Sequence, residues 1–541
     1  MKNKLMKKAF SYAAAAVFSA QLFTISCAYG DGCTAEFVFS DTKITADGAD
    51  GYSIDGTNLK IEKSGTYKVS GSCSDGSITV KKGVTDVNLI IDNLTLKSEA
   101  TAPLTFNKGS GVTLTAYGVN TFSDTAKNND ESYADNENAE NAVIKCKDGS
   151  NVLINGDGTI NITANGKNGI KSGETTDEDG KSSLTLDGIT MNIDAPVNDA
   201  INAEAELFIK SGKYTVSALD DAIHSDYTLT IGESGVSGTP VIDITSCEEG
   251  IEGASIYINS GEIKVYSKDD GINGANSDLE NYNFSIDISG GNVYVNAENG
   301  DGIDSNGSLT ISGGNVTVFS TSSGANSPLD SDGEFKITGG TVLAIGNSGM
   351  AQSPAQGSQS YISFGSTGGF GGGMPPRGQQ PGGQIPNDEN KPPMDMGNSP
   401  ENNGRQNSSR PSMEERPKGQ PFGQVGEPNQ NQNTNDNSSG ISISKGDTIS
   451  AATADGTVIF TETAVRSANY VFFSSADISE SETYTLKING TAQTETTVSQ
   501  SAQQNGMTPP PENRDFPQNE KSQNSIYEYI KRLIESLLKN I

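Results

Sequence analysis

Apolar and polar residues alternate with a period of two along most of the chain. Thr66-Tyr67-Lys68-Val69-Ser70, Ile78-Thr79-Val80, Val87-Asn88-Leu89-Ile90-Ile91 and Val112-Thr113-Leu114-Thr115 are examples, each bounded by Gly or Asp. This spacing predicts short strands with one face buried. A polar, acidic stretch from Ser123 to Asn141 reads as a loop leaving the body.

Two phrases then recur. The first is one or two acids, a small residue and a branched aliphatic: Asn198-Asp199-Ala200-Ile201, Asp220-Asp221-Ala222-Ile223, Glu248-Glu249-Gly250-Ile251, Asp269-Asp270-Gly271-Ile272 and Gly300-Asp301-Gly302-Ile303. A looser copy, Ser327-Pro328-Leu329-Asp330, closes the series, and the closest copies lie 21 and 22 residues apart. The second phrase is a strand, a Gly corner and a strand, as in Ile288-Ser289-Gly290-Gly291-Asn292-Val293, Ile311-Ser312-Gly313-Gly314-Asn315-Val316 and Ile337-Thr338-Gly339-Gly340-Thr341-Val342. Gly at the corner supplies a positive φ. One unit of about 22 residues therefore holds three short strands, and a unit of that period buries its apolar face only by stacking on its copies. The expected fold is all-β, a parallel β-helix solenoid of about ten coils over residues 36–350. An antiparallel sandwich is the alternative, and it predicts hairpins instead of same-sense copies.

Beyond residue 350 the pattern breaks. Residues 351–440 are rich in Gly, Pro, Gln, Asn and Ser, a composition that cannot repay the entropy of ordering, and read as a disordered insertion. Strand signals return over 441–497, a β module too small to stand comfortably alone, expected to pack on the end of the solenoid. A polar linker (498–524) leads to 525–541, where Ile526, Ile530, Leu533, Ile534, Leu537, Leu538 and Ile541 share one helical face. That helix is expected to dock on the body or on a protein partner, and it is too short and charged to span a bilayer.

Composition fits a thin body. Gly numbers 62, aromatics are 6% and Trp is absent. The formal net charge of −31 argues against nucleic acid, whose phosphates it would repel. At the start, Lys2, Lys4, Lys7 and Lys8 precede an apolar run and Ser26-Cys27-Ala28, the layout of a secretory signal over 1–28. Secretion or a cell-surface location is expected, with lipid attachment at Cys27 as the alternative. Cys33, Cys73, Cys146 and Cys247 have no metal-site spacing and read as small buried hydrophobes.

Stacked units would line up the acids. Two unit charges about 5 Å apart repel by roughly 1 kcal/mol in water and about 3 at an effective dielectric near 20. A column of acids therefore calls for a cation, and oxygen donors without Cys point to Ca²⁺. The candidate ligands are Asp220, Asp221, Glu248, Glu249, Glu252, Asp269, Asp270 and Asn273, with Asp301 and Asp304 one coil on. Solvated corner acids are the alternative. His224, the lone histidine, reads as structural. No catalytic pair can be chosen among so many acids, although a Ca²⁺-dependent lyase would want a base such as Lys264 or Lys268 nearby.

The opening Gly65-Thr66-Tyr67-Lys68-Val69-Ser70-Gly71, the Asp-Gly-Ile phrases, the Ile-x-Gly-Gly corners and the ending Gly340-Thr341-Val342-Leu343-Ala344-Ile345-Gly346 resemble one bacterial family. It is the secreted carbohydrate-binding domain family of polysaccharide-lyase-like, cellulose- and pectin-binding β-helix proteins. The resemblance covers roughly residues 36–350, and Gly456 to Leu486 looks like the family's C-terminal piece. It implies a right-handed β-helix, Ca²⁺ at acidic corners, and binding of acidic plant cell-wall polysaccharide such as pectin, with cellulose as a further ligand. Lys171 and Pro328 depart from the phrase pattern, so the metal role is carried only to the matching middle copies. The function expected is non-catalytic polysaccharide binding outside the cell. A Ca²⁺-dependent lyase and a surface adhesion or structural protein are the alternatives.

Overall fold

The computed structural model describes residues 32–365, apart from 49, 126–128, 133–136, 280 and 323, together with 440–498. The expected signal segment, most of the Gly/Pro/Gln-rich stretch, the second linker and the terminal helix lie outside the described residues. Among the described residues there is no helix. Thirty-three strands join one mostly parallel sheet, and four more form a separate antiparallel sheet.

The pairing follows a rule of three. The strand Asn151–Asn155 lies parallel between Gly111–Tyr117 and Ser183–Asp187. Its successor Thr159–Thr163 lies between Val119–Asp124 and Ile189–Ala195. The next strand, Asn168–Ser172, lies between Ala142–Cys146 and Ile201–Ala203. Each strand therefore stacks on its equivalent one period away, about 4.8 Å along the stack. The two intervening strands supply the crossover that a parallel pair needs.

In-register stacking sets like side chain over like. Leu104, Ile144, Ile170, Ile201, Ile223, Ile251, Ile272 and Ile303 are successive register partners, and all are fully buried. A second ladder runs Val112, Val152, Leu184, Leu207, Leu229, Ile256, Ile286 and Leu309. A third runs Ile160, Met191, Tyr214, Ile242, Ile263, Val293 and Val316. The alternating burial of these strands is what the period-two pattern requires, and each buried aliphatic contributes about 1.5–3 kcal/mol. The one core these ladders form is continuous along the stack. Cys73, Cys146 and Cys247 are buried in it as free thiols and Cys33 is half-buried. Burial pushes the Cys146 and Cys247 thiols up to about 12.

Both ends of the stack are covered by antiparallel strands. Ala35–Ser40 folds back against Lys43–Gly48. At the other end, Thr341–Gly346 and Tyr361–Phe364 both pair with Tyr470–Ser474. The four-stranded sheet built from Thr448–Thr453, Val458–Thr463, Thr483–Ile488 and Thr491–Thr497 packs there. Ile449, Leu486 and Phe473 share a second core with Phe319, Leu343 and Ile345. Covering these edges removes open hydrogen-bonding rims that would otherwise recruit other chains.

The Gly corners turn as their sequence requires. Gly291, Gly314 and Gly340 have φ of 88°, 80° and 80°, and a Cβ on Gly314 would lie 2.6 Å from the carbonyl oxygen of Gly291. Gly314→Ala is therefore expected to destabilise the protein by at least about 1–2 kcal/mol. A urea midpoint equal to that of the wild type would contradict this account of the corner.

Candidate metal and glycan site

The acidic phrases come together on one edge because their aliphatic residues are locked in the first ladder. The amide of Ala222 donates to the Glu249 carbonyl, Gly250 to Asp270 and Gly271 to Asp301, each at 3.0 Å. Asp199, Asp221, Glu249, Asp270 and Asp301 thus form one column. The positions just after the aliphatic form another, with Asn202, His224, Glu252, Asn273 and Asp304 as register partners. The first acids of the doubled phrases, Asp220, Glu248 and Asp269, stand at the exposed rim. Stacking there is also direct, since the Glu248 amide donates to the Asp220 carbonyl and the Asp269 amide to that of Glu248.

The ten candidate ligands therefore separate by depth. Asp221 and Asn273 are buried, and Glu249, Glu252, Asp270, Asp301 and Asp304 are half-buried. Side chains of the two inner columns interlock. Asn202 Nδ2 donates to Asp199 Oδ2 at 2.6 Å, and Asn273 Nδ2 donates to Glu249 Oε2 at 2.8 Å. The Asp301 amide donates to Asp270 Oδ1 at 2.7 Å. The amide oxygens of Asn202 and Asn273 are buried with no hydrogen-bond partner among the described residues. A buried orphan acceptor costs about 1–3 kcal/mol until a donor or cation reaches it.

Burial gives these acids unusual proton affinity. It pushes Glu249 up to about 7, with Glu252, Asp269 and Asp220 adding to the rise. Burial likewise lifts Asp270 to about 7, with Asp304, Asp269 and Glu249 contributing. Asp301 is held at about 7 and Asp304 at about 6, first by burial and then by neighbouring carboxylates that include Asp330. At neutral pH this part of the column is only partly ionised, and a divalent cation would compete with its protons.

His224 occupies the column itself. Its Nδ1 lies 3.1 Å from Asp221 Oδ2 and 2.8 Å from Glu252 Oε2, and its Nε2 lies 2.8 Å from Asp226 Oδ1. With carboxylates on both ring nitrogens, the ring is an imidazolium. Burial opposes that charge, but the three carboxylates together push the His224 pKa far above its usual range. The structural role expected of this residue takes the form of an internal cation in the acid column. Asp226 was not foreseen at all, although its position two residues after His224 places both on one face of a strand. Asp199 was also left out of the candidate set. Register brings it beside Asp220 and Asp221, where ligand atoms of all three lie within 4.8 Å of one another. Asp221, His224 and Glu252 form the other such group among the described residues.

The two lysines considered as bases part company. Lys268 lies 3.6 Å from Glu248 at the exposed rim. Lys264 falls in the third ladder's strands, in register with Asp243 and Tyr294, away from the acid column.

The chain belongs to the family of carbohydrate-binding domain-containing proteins, whose model matches residues 55–236 and 229–358, together more than half of the sequence. A relative in Acetivibrio thermocellus described in the same words is 32% identical over 139 residues. The match covers 25% of this chain and 47% of the relative, so the chain spans about half the relative's length. A solved structure of the polysaccharide lyase-like protein from C. thermocellum, a gadolinium derivative, is 22% identical. It matches over 58% of this chain and 96% of its own length, with a TM-score of 0.31. No helix among the described residues is long and apolar enough to cross a membrane.

Two outcomes test this geometry. Carboxylates whose folded pKa is raised contribute stability that is present below about pH 4 and lost as pH rises through 6–7. In chelator, the melting temperature is therefore expected to fall between pH 5 and pH 8, and Asp270→Asn with Asp301→Asn to flatten that slope. A slope that the double variant leaves unchanged would assign the dependence elsewhere. His224→Gln removes the internal cation and leaves Asp221 and Glu252 facing each other, so a loss of about 3 kcal/mol is expected in urea unfolding at pH 7. A loss below about 0.5 kcal/mol would mean that the imidazolium does not hold the column together.

Proposed function

We propose that this protein is a non-catalytic, extracellular polysaccharide-binding protein that folds as a right-handed parallel β-helix and holds Ca²⁺ along its acid column. The rule-of-three pairing supports the β-helix reading, because a chain that returns to the same column every third strand winds as a solenoid. Family membership supports carbohydrate as the ligand. The metal reading is carried by one observation: in-register carboxylates meet at a buried Asn273 whose amide oxygen has no partner.

The donor set suits calcium. Glu249, Asp270, Asn273, Asp301 and Asp304 offer hard oxygens only, and Asp199, Asp220 and Asp221 form a second oxygen group on the far side of His224. Bound Ca²⁺ would neutralise the column and leave coordination positions for sugar hydroxyl or carboxylate oxygens. The chain's own part is to fix the donors by register, to exclude water with the ladder beneath, and to present Asp220, Glu248 and Asp269 at the exposed rim. Acidic plant cell-wall glycans such as pectin fit this scheme best, because their carboxylates are drawn to a surface-held cation. An extracellular setting goes with it, since modules that work there bind Ca²⁺ at about 10⁻⁴–10⁻³ M.

The test is a melting curve and a pull-down on pectate and on cellulose, each with Ca²⁺ and with chelator. Calcium at about 100 times its Kd is expected to stabilise the fold by about 2.7 kcal/mol for each site and to strengthen retention on pectate. Asp270→Asn with Asp301→Asn should lose most of both effects. A melting temperature and a pectate retention that are both indifferent to chelator would sink the calcium reading.

A further inference from the structure

The face that carries the acid column changes sign along its length. Reading the register back from Glu252, the equivalent outward positions are His224, Asn202, Lys171 and Lys145. Lys171 and Lys145 are direct partners on adjacent parallel strands. Like charges opposed in this way destabilise a sheet unless something lies between them.

The neighbouring acids are already engaged. Lys171 Nζ lies 2.7 Å from Glu204 Oε1, and Glu140 Oε1 lies 2.7 Å from Lys147 Nζ. Among the described residues, no carboxylate comes within 4.0 Å of the Lys145 ammonium. Yet Lys145 is half-buried between the inward-facing Ile144 and Cys146. Burial, and then the charge of Lys171, hold its pKa below the usual lysine value. A partly desolvated ammonium beside a second ammonium is a place for an anion.

We propose that Lys145 and Lys171 form a metal-independent subsite for a carboxylate of the acidic sugar chain, on the same face as the acid column. The inference rests on the acidic-polysaccharide reading above and deepens it. One bound chain would meet Ca²⁺ at the acidic end of the face and, at the other, the Lys145 ammonium with Lys171, itself paired with Glu204, beside it. Part of its affinity would then survive removal of the metal.

Calorimetric titration of the full chain with an oligogalacturonate, in Ca²⁺ and in chelator, separates the two ends. The wild type is expected to keep weak binding in chelator. Lys145→Gln with Lys171→Gln should reduce that residual affinity about tenfold or more while a gain on adding Ca²⁺ persists, and Lys145→Arg should retain it. A wild type that does not bind in chelator, or a double variant that binds there as well as the wild type, overturns the subsite. A wild type whose binding ignores Ca²⁺ overturns the calcium reading instead. Should the double variant fold poorly, protection of Lys145 in the wild type decides the matter. The oligosaccharide should slow acylation of Lys145 by an amine reagent, followed by mass spectrometry, and acetate at equal carboxylate concentration should not. Equal protection by acetate, or no protection by the oligosaccharide, overturns it as well.

Discussion

In-register parallel pairing is the constraint from which the rest follows. When a strand lies directly over its equivalent, each side chain meets the same position of the next unit. For aliphatic residues this is favourable at every step, and the Ile144 to Ile303 ladder is fully buried without a break. The polar positions have no choice but to stack as well. A residue that is harmless once, such as an aspartate at a corner, becomes a column when the unit repeats. The acid column is thus a consequence of the same register that builds the core.

The molecule copes with that column by several means at once. Asn202 and Asn273 interrupt the carboxylates and each donates to one. His224 places a positive charge between Asp221, Asp226 and Glu252. Farther back, the column position passes to Lys171 and Lys145, so the face runs from basic to acidic. The remaining repulsion is met by protons, and burial holds Glu249, Asp270 and Asp301 near 7. On the calcium reading proposed above, a divalent cation would have to displace those protons. The same low dielectric that raises the pKa values would strengthen the attraction for the ion.

Much of this was legible in the residues. Period-two alternation marks strands because successive side chains on a strand point to opposite sides. The recurring acid–small–aliphatic phrase marks stacking because a unit of that length has no core of its own. The same phrase identified seven of the ten acids and amides that now line the edge through simple spacing. The other three, Glu252, Asn273 and Asp304, stand one residue beyond their aliphatic and fit the same logic. What spacing could not convey was depth. Asp220 and Asp221 are adjacent and chemically identical, yet one is exposed and the other buried, because only the second turns toward the strand that carries His224.

The chain alone therefore determined the strand pattern, the repeating acidic edge and the glycine corners, each set by local geometry and short-range periodicity. Tertiary structure decided which acids share an environment. It brought Asp199 to Asp220 and Asp221, put Asp226 and Glu252 on opposite nitrogens of His224, and left Lys145 beside Lys171. Apart from Asp226 with His224, those contacts join residues from different units. They depend on the insertions between units as much as on the phrases themselves, and no single segment contains the register that creates them.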